Sequence, residues 1–375
     1  EVKVKSVPYK GMVDDGIAYV RLTRFTRNCA SEVEDAILEL TDENDVKGLV
    51  LDLRGNPGGL LNESVSLCNL FIDKNQEVVS TKGKIKDWEK SYKTMKEPLY
   101  RELPLAVLIN QSSASASEIV SGTIQDLDRG VILGKKSFGK GLVQQTRKLS
   151  YNSQLKVTVA KYYTPSGRCI QALDYTNKNE DGSVGKVADS LKTAFKTTNG
   201  RTVYDGGGVD PDIVIDQEAF AKIVGSLVSK QLIFDFATEF VLQNDSIEEP
   251  GEFKISDALY EDFVMFLSDK EYEYETKTEK KMVELINEAE DEYADFKEDL
   301  EVLQKKLLSY KKDDIHKYQS QISELILSEL MARYYYQEGR VIASLADDIV
   351  LKEAISVLND SDRYKAILSG NIDDK

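Results

Sequence analysis

The sequence predicts an α/β domain built on a mostly parallel sheet, followed by an all-α domain. Over the first 215 residues, short strand patterns alternate with amphipathic helix patterns, as they do in a parallel sheet covered by helices. From residue 216 to residue 375 the segments become longer, more charged and poorer in glycine, with apolar residues stepping by threes and fours. We therefore expect two domains, at 1–215 and 216–375.

The first domain is predicted to begin with a strand at 15–22 and a helix whose start is marked by a capping box of Ser31 and Glu34. A buried strand at 46–53 runs into the loop RGNPGG, and a second helix begins at Leu61. Further strands are expected at 77–81, 105–110, 130–135 and 154–165, and a final turn and strand within 204–215. Both RGNPGG and NQSSASAS follow the carboxyl ends of strands, where α/β folds place their chemistry.

The second domain is predicted to be helical. The segment SDALYEDFV (256–264) has the pattern of a capped helix. A heptad-like apolar stripe then indicates a helix or a helical hairpin. The stripe consists of Met282, Leu285, Ala289, Tyr293, Phe296, Leu300, Leu303, Leu307 and Tyr310. Its apolar character suggests self-association into a homo-oligomer, or docking on the first domain.

The composition excludes several classes of protein. The net charge of −16 would repel nucleic acid and anionic membrane surfaces, so neither is expected as a partner. No apolar run approaches the roughly 20 residues of a membrane helix, and the three cysteines lack metal-ligand spacing. The only histidine is His316, among charged residues and remote in sequence from any serine cluster. A Ser-His-Asp triad needs an imidazole as base, and this chain offers none near a serine cluster.

A serine without a histidine can be activated by a neutral lysine, provided that burial lowers the lysine pKa from about 10.4 to roughly 7–8. Lys140 in KSFGKGLVQQ is the candidate, because glycines flank it and Phe138 and Leu142 are available to exclude water. Gln144 lies four residues later and could hold the amine through its amide oxygen.

The segment SSASASEIVSGTIQDLDRGVILGKKSFGKGLVQ resembles the active-site region of the carboxyl-terminal processing peptidases, also called tail-specific proteases. The resemblance implies that the nucleophile is the middle serine of S-A-S-A-S, here Ser115. It makes Lys140, twenty-five positions later, the general base, and Gln144 completes the Ser-Lys-Gln arrangement of the family. The rival serines of the cluster are interpreted as turn and packing residues: Ser112, Ser113 and Ser117.

Other segments extend the resemblance over about residues 1–215. LDLRGNPGG resembles the oxyanion loop of the family, in which the backbone N–H groups of Gly59 and Ala116 would hold the oxyanion. YYTPSGRCIQ and DGGGVDPDI match as well. Gly58 and Arg168 are candidates for substrate contact. For Arg168, which could hold a substrate carboxylate, a structural salt bridge is the alternative.

The resemblance implies a crotonase/ClpP-like peptidase fold and a serine endopeptidase that cuts proteins near their carboxyl termini through an acyl-enzyme. It implies protein or peptide tails as substrates, no metal or cofactor, and a periplasmic or otherwise extracytoplasmic location. Members usually carry a PDZ domain before the core, and this chain begins at the strand just after it, so the PDZ domain is expected to be missing. The alternative is a catalytically silent binding or scaffold protein on the same fold.

Overall fold

The computed structural model describes residues 5–178, 181, 183–216, 220–292, 294–311 and 313–371. Their contacts divide the chain into two compact units. The first unit runs to Asp216 and resumes at Asp348, and the second lies between those positions in the sequence.

The strands belong to the first unit. In chain order they are β1 (Tyr9–Asp14), β2 (Ile17–Arg21), β3 (Gly48–Asp52), β4 (Glu77–Lys82), β5 (Lys90–Lys93), β6 (Leu105–Ile109), β7 (Val131–Gly134), β8 (Leu142–Lys148), β9 (Gln154–Tyr163), β10 (Leu173–Lys178), β11 (Val184–Lys186), β12 (Ala194–Lys196), β13 (Thr202–Tyr204) and β14 (Ile213–Val214).

The helices occur in both units. In chain order they are α1 (Cys29–Glu43), α2 (Leu61–Cys68), α3 (Ala116–Asp126), α4 (Lys222–Ser229), α5 (Leu232–Gln243), α6 (Asp257–Phe266), α7 (Lys277–Glu292), α8 (Ala294–Lys311), α9 (Asp314–Lys317), α10 (Gln319–Leu345), α11 (Ile349–Asn359) and α12 (Ser361–Ser369). None of them, over the described residues, combines the length and the apolar character that crossing a membrane requires.

A six-stranded sheet forms the centre of the first unit, in the order β1-β2-β3-β6-β7-β14. All neighbouring pairs are parallel except β1 and β2. Strands β3, β6 and β7 are buried along their whole length, as expected for apolar strands covered on both faces. The predicted mostly parallel α/β core is confirmed.

The strand predicted at 77–81 belongs to a second sheet. It forms β4, which pairs antiparallel with β5 and β9 in a four-stranded sheet of order β5-β4-β9-β8. A five-residue pattern indicates a strand but does not encode its pairing partner, so the sequence did not separate β4 from the parallel strands.

The predicted capping box of Ser31 and Glu34 is wrong. Helix α1 begins two residues earlier, at Cys29. The Glu63 carboxylate of α2 accepts the N–H groups of Asn28 and Ala30 at 3.0 and 3.2 Å. A side chain distant in sequence therefore satisfies the free donors at this helix start, in place of the local capping box.

A buried charge cluster stands at the end of β3. Asp52 is fully buried, accepts the Tyr19 hydroxyl at 2.6 Å and pairs with Arg54 at 2.7 Å. Burial alone would raise the pKa of the Asp52 carboxyl, but Arg54 and Arg21 stabilise its anion and lower the pKa to about 2. The cluster fixes the backbone from which the RGNPGG loop departs.

Helices α11 and α12 lie with the first unit rather than with the other helices of the predicted 216–375 domain. Arg54 pairs with Asp348, which caps α11 by accepting the N–H groups of Val350 and Leu351. The Tyr364 hydroxyl of α12 accepts the N–H of Leu105 in β6 at 3.0 Å. These contacts account for the return of the chain to the sheet after residue 347.

The second unit is helical, as predicted. Its core packs aromatic rings of α5 and α6, with Phe236 and Phe263 in edge-to-face contact at 5.1 Å between ring centres. The predicted cap of α6 is present, since the Ser256 hydroxyl accepts the Leu259 N–H at 3.2 Å. Helix α10 is kinked at Tyr336, where φ is 57° and ψ is −152°. His316 is exposed on α9.

The predicted apolar stripe lies on the helices α7 and α8. Between them only Ile286 and Leu300 are buried among the described side chains. Of the other stripe members, Phe296 and Leu303 are exposed at 49% and 52% of their full accessible area, as are Leu285 and Tyr310, whereas Met282 and Leu307 are partly buried. Tyr293 lies outside the described residues.

Candidate functional site

Three loops leave the same edge of the central sheet from adjacent parallel strands. β6 is the middle strand and leads into the serine loop 110–115, β3 leads into the glycine loop 53–60, and β7 leads into the lysine loop 135–141. Because parallel strands end at a common edge, three segments that are separate in sequence meet there.

Ser115 has a strained backbone. It stands immediately before α3 with φ 58° and ψ −109°, a conformation that costs a non-glycine residue on the order of 1–3 kcal/mol. Two neighbouring serines fix the turn: the Ser113 hydroxyl donates to Leu53 O at 2.8 Å and the Ser117 hydroxyl donates to Asn56 O at 2.9 Å. These two are packing residues, as predicted, whereas Ser115 is partly accessible.

The glycine loop lies directly against the serine turn. Gly58 has φ 93°, and a Cβ at this position would lie 2.5 Å from Ala114 O and 2.8 Å from Ala116 N. Asn56 fastens the loop, because its side chain accepts the Gly58 N–H at 2.9 Å and donates to Leu22 O at 2.8 Å. Only glycine permits this approach of the two backbones.

Two backbone N–H groups at this contact have no hydrogen-bond acceptor among the described residues. The N–H groups of Gly59 and Ala116 donate to no atom of the described residues, whereas the N–H of Gly58 is taken by Asn56. Gly59 itself is held against Phe25, whose oxygen accepts the next N–H along the loop at 2.8 Å. The Ala116 N–H belongs to the first turn of α3, where the helix dipole favours negative charge.

The sequence reasoning missed Glu118, which is completely buried in the first turn of α3. One of its oxygens accepts the N–H groups of Ser115 and Lys140, each at 2.8 Å. The other oxygen accepts the Ser137 hydroxyl at 2.5 Å and the Gly139 N–H at 2.6 Å. Burial raises the pKa of this carboxyl, and the four hydrogen bonds counteract the rise only in part. The Ser-x-x-Glu spacing at 115–118 was the signal available in the sequence.

The structure brings the Lys140 backbone to the serine turn but leaves its side chain in solvent. Lys140 is exposed, and its ammonium forms no hydrogen bond or ion pair within the described part of the chain. Phe138 is itself 53% exposed and Leu142 is half-buried, so the prediction that these two side chains shield the amine is wrong for this conformation.

Gln144 is exposed on β8, directly after a β-bulge between Val143 and Gln144. A bulge redirects the side chains that follow it, so the four-residue spacing from Lys140 does not by itself place both on one face. Gln144 lines a cavity of about 430 Å³ together with Lys161, Cys169 and Gln171.

Arg168 is completely buried. Its guanidinium donates to the Gln125 side chain at 2.7 Å and pairs with Asp126 at 2.8 Å, both on α3. The group has no exposed surface with which to hold a substrate carboxylate, and the geometry favours the alternative of a structural salt bridge.

No three or more His, Cys, Asp and Glu side chains of the described residues form a group that could hold a metal ion. The arrangement that the site does contain is a strained serine at a helix start, faced by two backbone N–H groups that have no acceptor among the described residues. Acyl-transfer enzymes use this arrangement to attack a carbonyl and to hold the resulting oxyanion.

Two segments of the chain match known protein families. Residues 16–178 match the family described as Peptidase family S41, and residues 223–358 match the one described as Probable PDZ-protease, C-terminal helical domain. The match to Peptidase family S41 over residues 16–178 confirms the resemblance of this part of the chain to the carboxyl-terminal processing peptidases.

Individual relatives cover only part of the chain. A carboxy-terminal-processing protease of Bartonella bacilliformis is 44% identical over 178 residues, which are 47% of this chain and 40% of that protein. A probable CtpA-like serine protease of Staphylococcus haemolyticus is 41% identical over 173 residues, 45% of this chain and 34% of that protein. The solved photosystem II D1 C-terminal processing protease has 31% identity and a TM-score of 0.41, over 53% of this chain and 42% of its own. The match thus spans less than half of each relative.

Proposed function

We propose that the chain is a serine endopeptidase that cuts proteins near their carboxyl termini through an acyl-enzyme on Ser115. The observation that carries the proposal is the pair of partnerless N–H groups, of Gly59 and Ala116, beside the strained serine. Each such donor is worth roughly 3–4 kcal/mol to the transition state of acyl transfer. The match of residues 16–178 to Peptidase family S41 and the names of the relatives support the same activity.

In the proposed mechanism, neutral Lys140 takes the proton of Ser115 as Oγ attacks the scissile carbonyl. The tetrahedral oxyanion is held by the N–H groups of Gly59 and Ala116. Lys140 then gives the proton to the leaving amine, and water releases the acyl group by the reverse sequence. Gln144 orients the amine, and Gly58 contributes by its close contact with the serine turn.

Exposure of the Lys140 ammonium adds a requirement to this mechanism. An ammonium has no lone pair with which to accept a proton, so the amine must lose its hydration and release one proton to solvent before Oγ attacks. We infer that the substrate chain supplies this cover when it lies across the cleft over Phe138 and Lys140, both of which are exposed.

The experiment that tests the function uses a folded reporter protein with a flexible, apolar carboxyl-terminal tail. We expect the chain to cut within the tail, with the sites located by mass spectrometry, and to spare the same reporter when a second folded domain follows the tail. An intact tailed reporter after prolonged incubation, together with a serine that no fluorophosphonate probe labels, would favour the silent binding protein.

Replacement of Gly58 by alanine is expected to lower kcat by roughly 100-fold or more. The new Cβ would collide with Ala114 O and Ala116 N at 2.5 and 2.8 Å, which forces the glycine loop, and with it the Gly59 N–H, away from the serine turn.

The matched control is Gly55→Ala in the same loop. Gly55 also has a positive φ, 72°, but a Cβ there meets nothing within 4 Å, so the control carries only a conformational cost of about 1 kcal/mol. Equal kcat values for the two variants would contradict the proposed oxyanion site.

We further propose that protein or peptide tails are the partners of the cleft, that the protein works in the periplasm or elsewhere outside the cytoplasm, and that it self-associates through α7 and α8. The last proposal is supported by the exposed apolar side chains of Phe296, Val302 and Leu303. Sedimentation velocity measures this self-association, and a monomer at micromolar concentration would contradict it.

A further inference from the structure

The buried carboxylate of Glu118 joins two loops of the site. Its four hydrogen-bond donors come from both sides: one is the Ser115 N–H of the serine turn, and three belong to residues 137–140 of the lysine loop. The same oxygen accepts from Ser115 and Lys140, which are the two residues assigned to the chemistry. A single oxygen atom thus bridges the backbones of these two residues.

Capping of α3 does not account for this arrangement. A capping-box glutamate needs only the hydrogen bond to the N-cap backbone, here the N–H of Ser115. The remaining donors are three residues of another loop. Glu118 also makes no ion pair within the described residues, so its buried charge rests on these donors and on the helix start. Such a charge is costly to keep for helix capping alone.

The donors also require a carboxylate rather than an amide. Three of the four are backbone N–H groups, which cannot accept a hydrogen bond. A glutamine would offer one accepting oxygen and would direct its own N–H groups at other N–H groups. The Ser137 hydroxyl accepts the Val209 N–H at 2.7 Å and donates to Glu118, so it could accept an N–H from a glutamine only by giving up its own donation to position 118.

We propose that Glu118 is a positioning residue, which holds the lysine loop against the nucleophile turn so that the Lys140 amine starts from a fixed place relative to Ser115. The proposal rests on the proposed Ser115–Lys140 chemistry. The positioning role is an addition to that chemistry, because it assigns the alignment of Ser115 and Lys140 to a side chain that touches no substrate. Within the described residues the Lys140 ammonium has no hydrogen-bond or ion-pair partner, so among them it is the backbone of Lys140 that is held, through its N–H bond to Glu118.

The test compares Glu118→Gln with Thr123→Val. Thr123 is buried on the same helix and donates to Val78 O at 2.8 Å, but it does not touch the lysine loop. The lysine loop keeps two other anchors in the glutamine variant, namely Phe138 N–H to Ser113 O at 3.0 Å and Gly141 N–H to the Gln171 side chain at 2.8 Å. For Glu118→Gln we expect kcat on the tailed reporter to fall roughly 10- to 100-fold with KM changed less than about two-fold.

Hydrogen–deuterium exchange of residues 137–141 supplies a readout that is independent of activity. We expect faster exchange there in Glu118→Gln and wild-type exchange in Thr123→Val, whose kcat should stay within about two-fold of wild type.

The proposal is overturned if Glu118→Gln keeps its kcat, or if Thr123→Val loses as much. If Glu118→Gln does not fold, Ser137→Ala removes one of the four bonds to Glu118, together with the bond that Ser137 accepts from the Val209 N–H, and it must still quicken exchange and lower kcat by a smaller factor. Failure of the wild-type chain to cut the reporter would count against the proposed function, whereas unchanged exchange in Glu118→Gln would count against the positioning role.

Discussion

Replacement of Ser115 by alanine is expected to lower the rate of tail cleavage by at least about 10⁴-fold. Without Oγ no acyl-enzyme can form, and only the oxyanion donors and substrate binding remain. The fold should persist, since alanine and serine pay a similar cost for the positive φ of 58° at this position. The measurement is the cleavage rate of the tailed reporter, together with labelling by a fluorophosphonate probe and the melting temperature.

The control for this prediction is Ser112→Ala, in the same loop. The Ser112 side chain is exposed, and only its backbone N–H is engaged, by Asn110. We expect full labelling and full cleavage from this variant. Labelling of Ser115→Ala at the wild-type rate would remove Ser115 from the mechanism. A wild-type chain that neither labels nor cuts would leave the silent binding protein as the better reading.

The central sheet and the meeting of its loops could be predicted, because both depend on local patterns. Strands β3, β6 and β7 are apolar runs that end in glycine- or serine-rich loops, and parallel strands bring such loops to one edge. The register and order of the strands then bring Gly58 into contact with Ala114 and Ala116. Spacing along the sequence does not predict this contact.

The remaining differences arise from contacts between residues far apart in the chain. Arg54 and Asp348 are 294 positions apart, and their pairing joins α11 to the sheet unit. The start of α1 depends on Glu63 rather than on its own first turn. Neither pairing leaves a periodic signal in the sequence. Composition therefore could not separate α11 and α12 from the other helices that follow residue 216.

The site itself was predictable in its residue types but not in its environment. Glycines and an aromatic neighbour suggested a shielded Lys140, yet Phe138 is largely exposed. Burial of a loop side chain depends on which other segments pack against the loop. The residues next to it in sequence do not determine those contacts. Glu118 was overlooked because a helix-capping pattern explains its spacing equally well without the lysine loop.

Replacement of Lys140 by methionine is expected to lower the cleavage rate by roughly 10²- to 10⁴-fold, the range that a general base contributes. Methionine keeps most of the aliphatic length and removes the amine, so packing of the loop should change little. Its backbone bond to Glu118 is retained as well. Labelling of Ser115 by the fluorophosphonate probe should slow in parallel, because that reaction also requires removal of the hydroxyl proton.

The matched control for Lys140→Met is Lys136→Met, four positions earlier in the same loop. Lys136 is partly exposed and pairs with Asp210 at 2.9 Å, an interaction worth at most about 1 kcal/mol at a surface. We expect its cleavage rate to stay within about three-fold of wild type. Both variants lose one positive charge near the cleft, so long-range attraction of an acidic substrate cannot account for a difference between them. If Lys140→Met kept more than a tenth of the wild-type rate while Ser115→Ala lost all of it, a base other than Lys140 would have to serve Ser115, and the exposed ammonium would have no part in the chemistry.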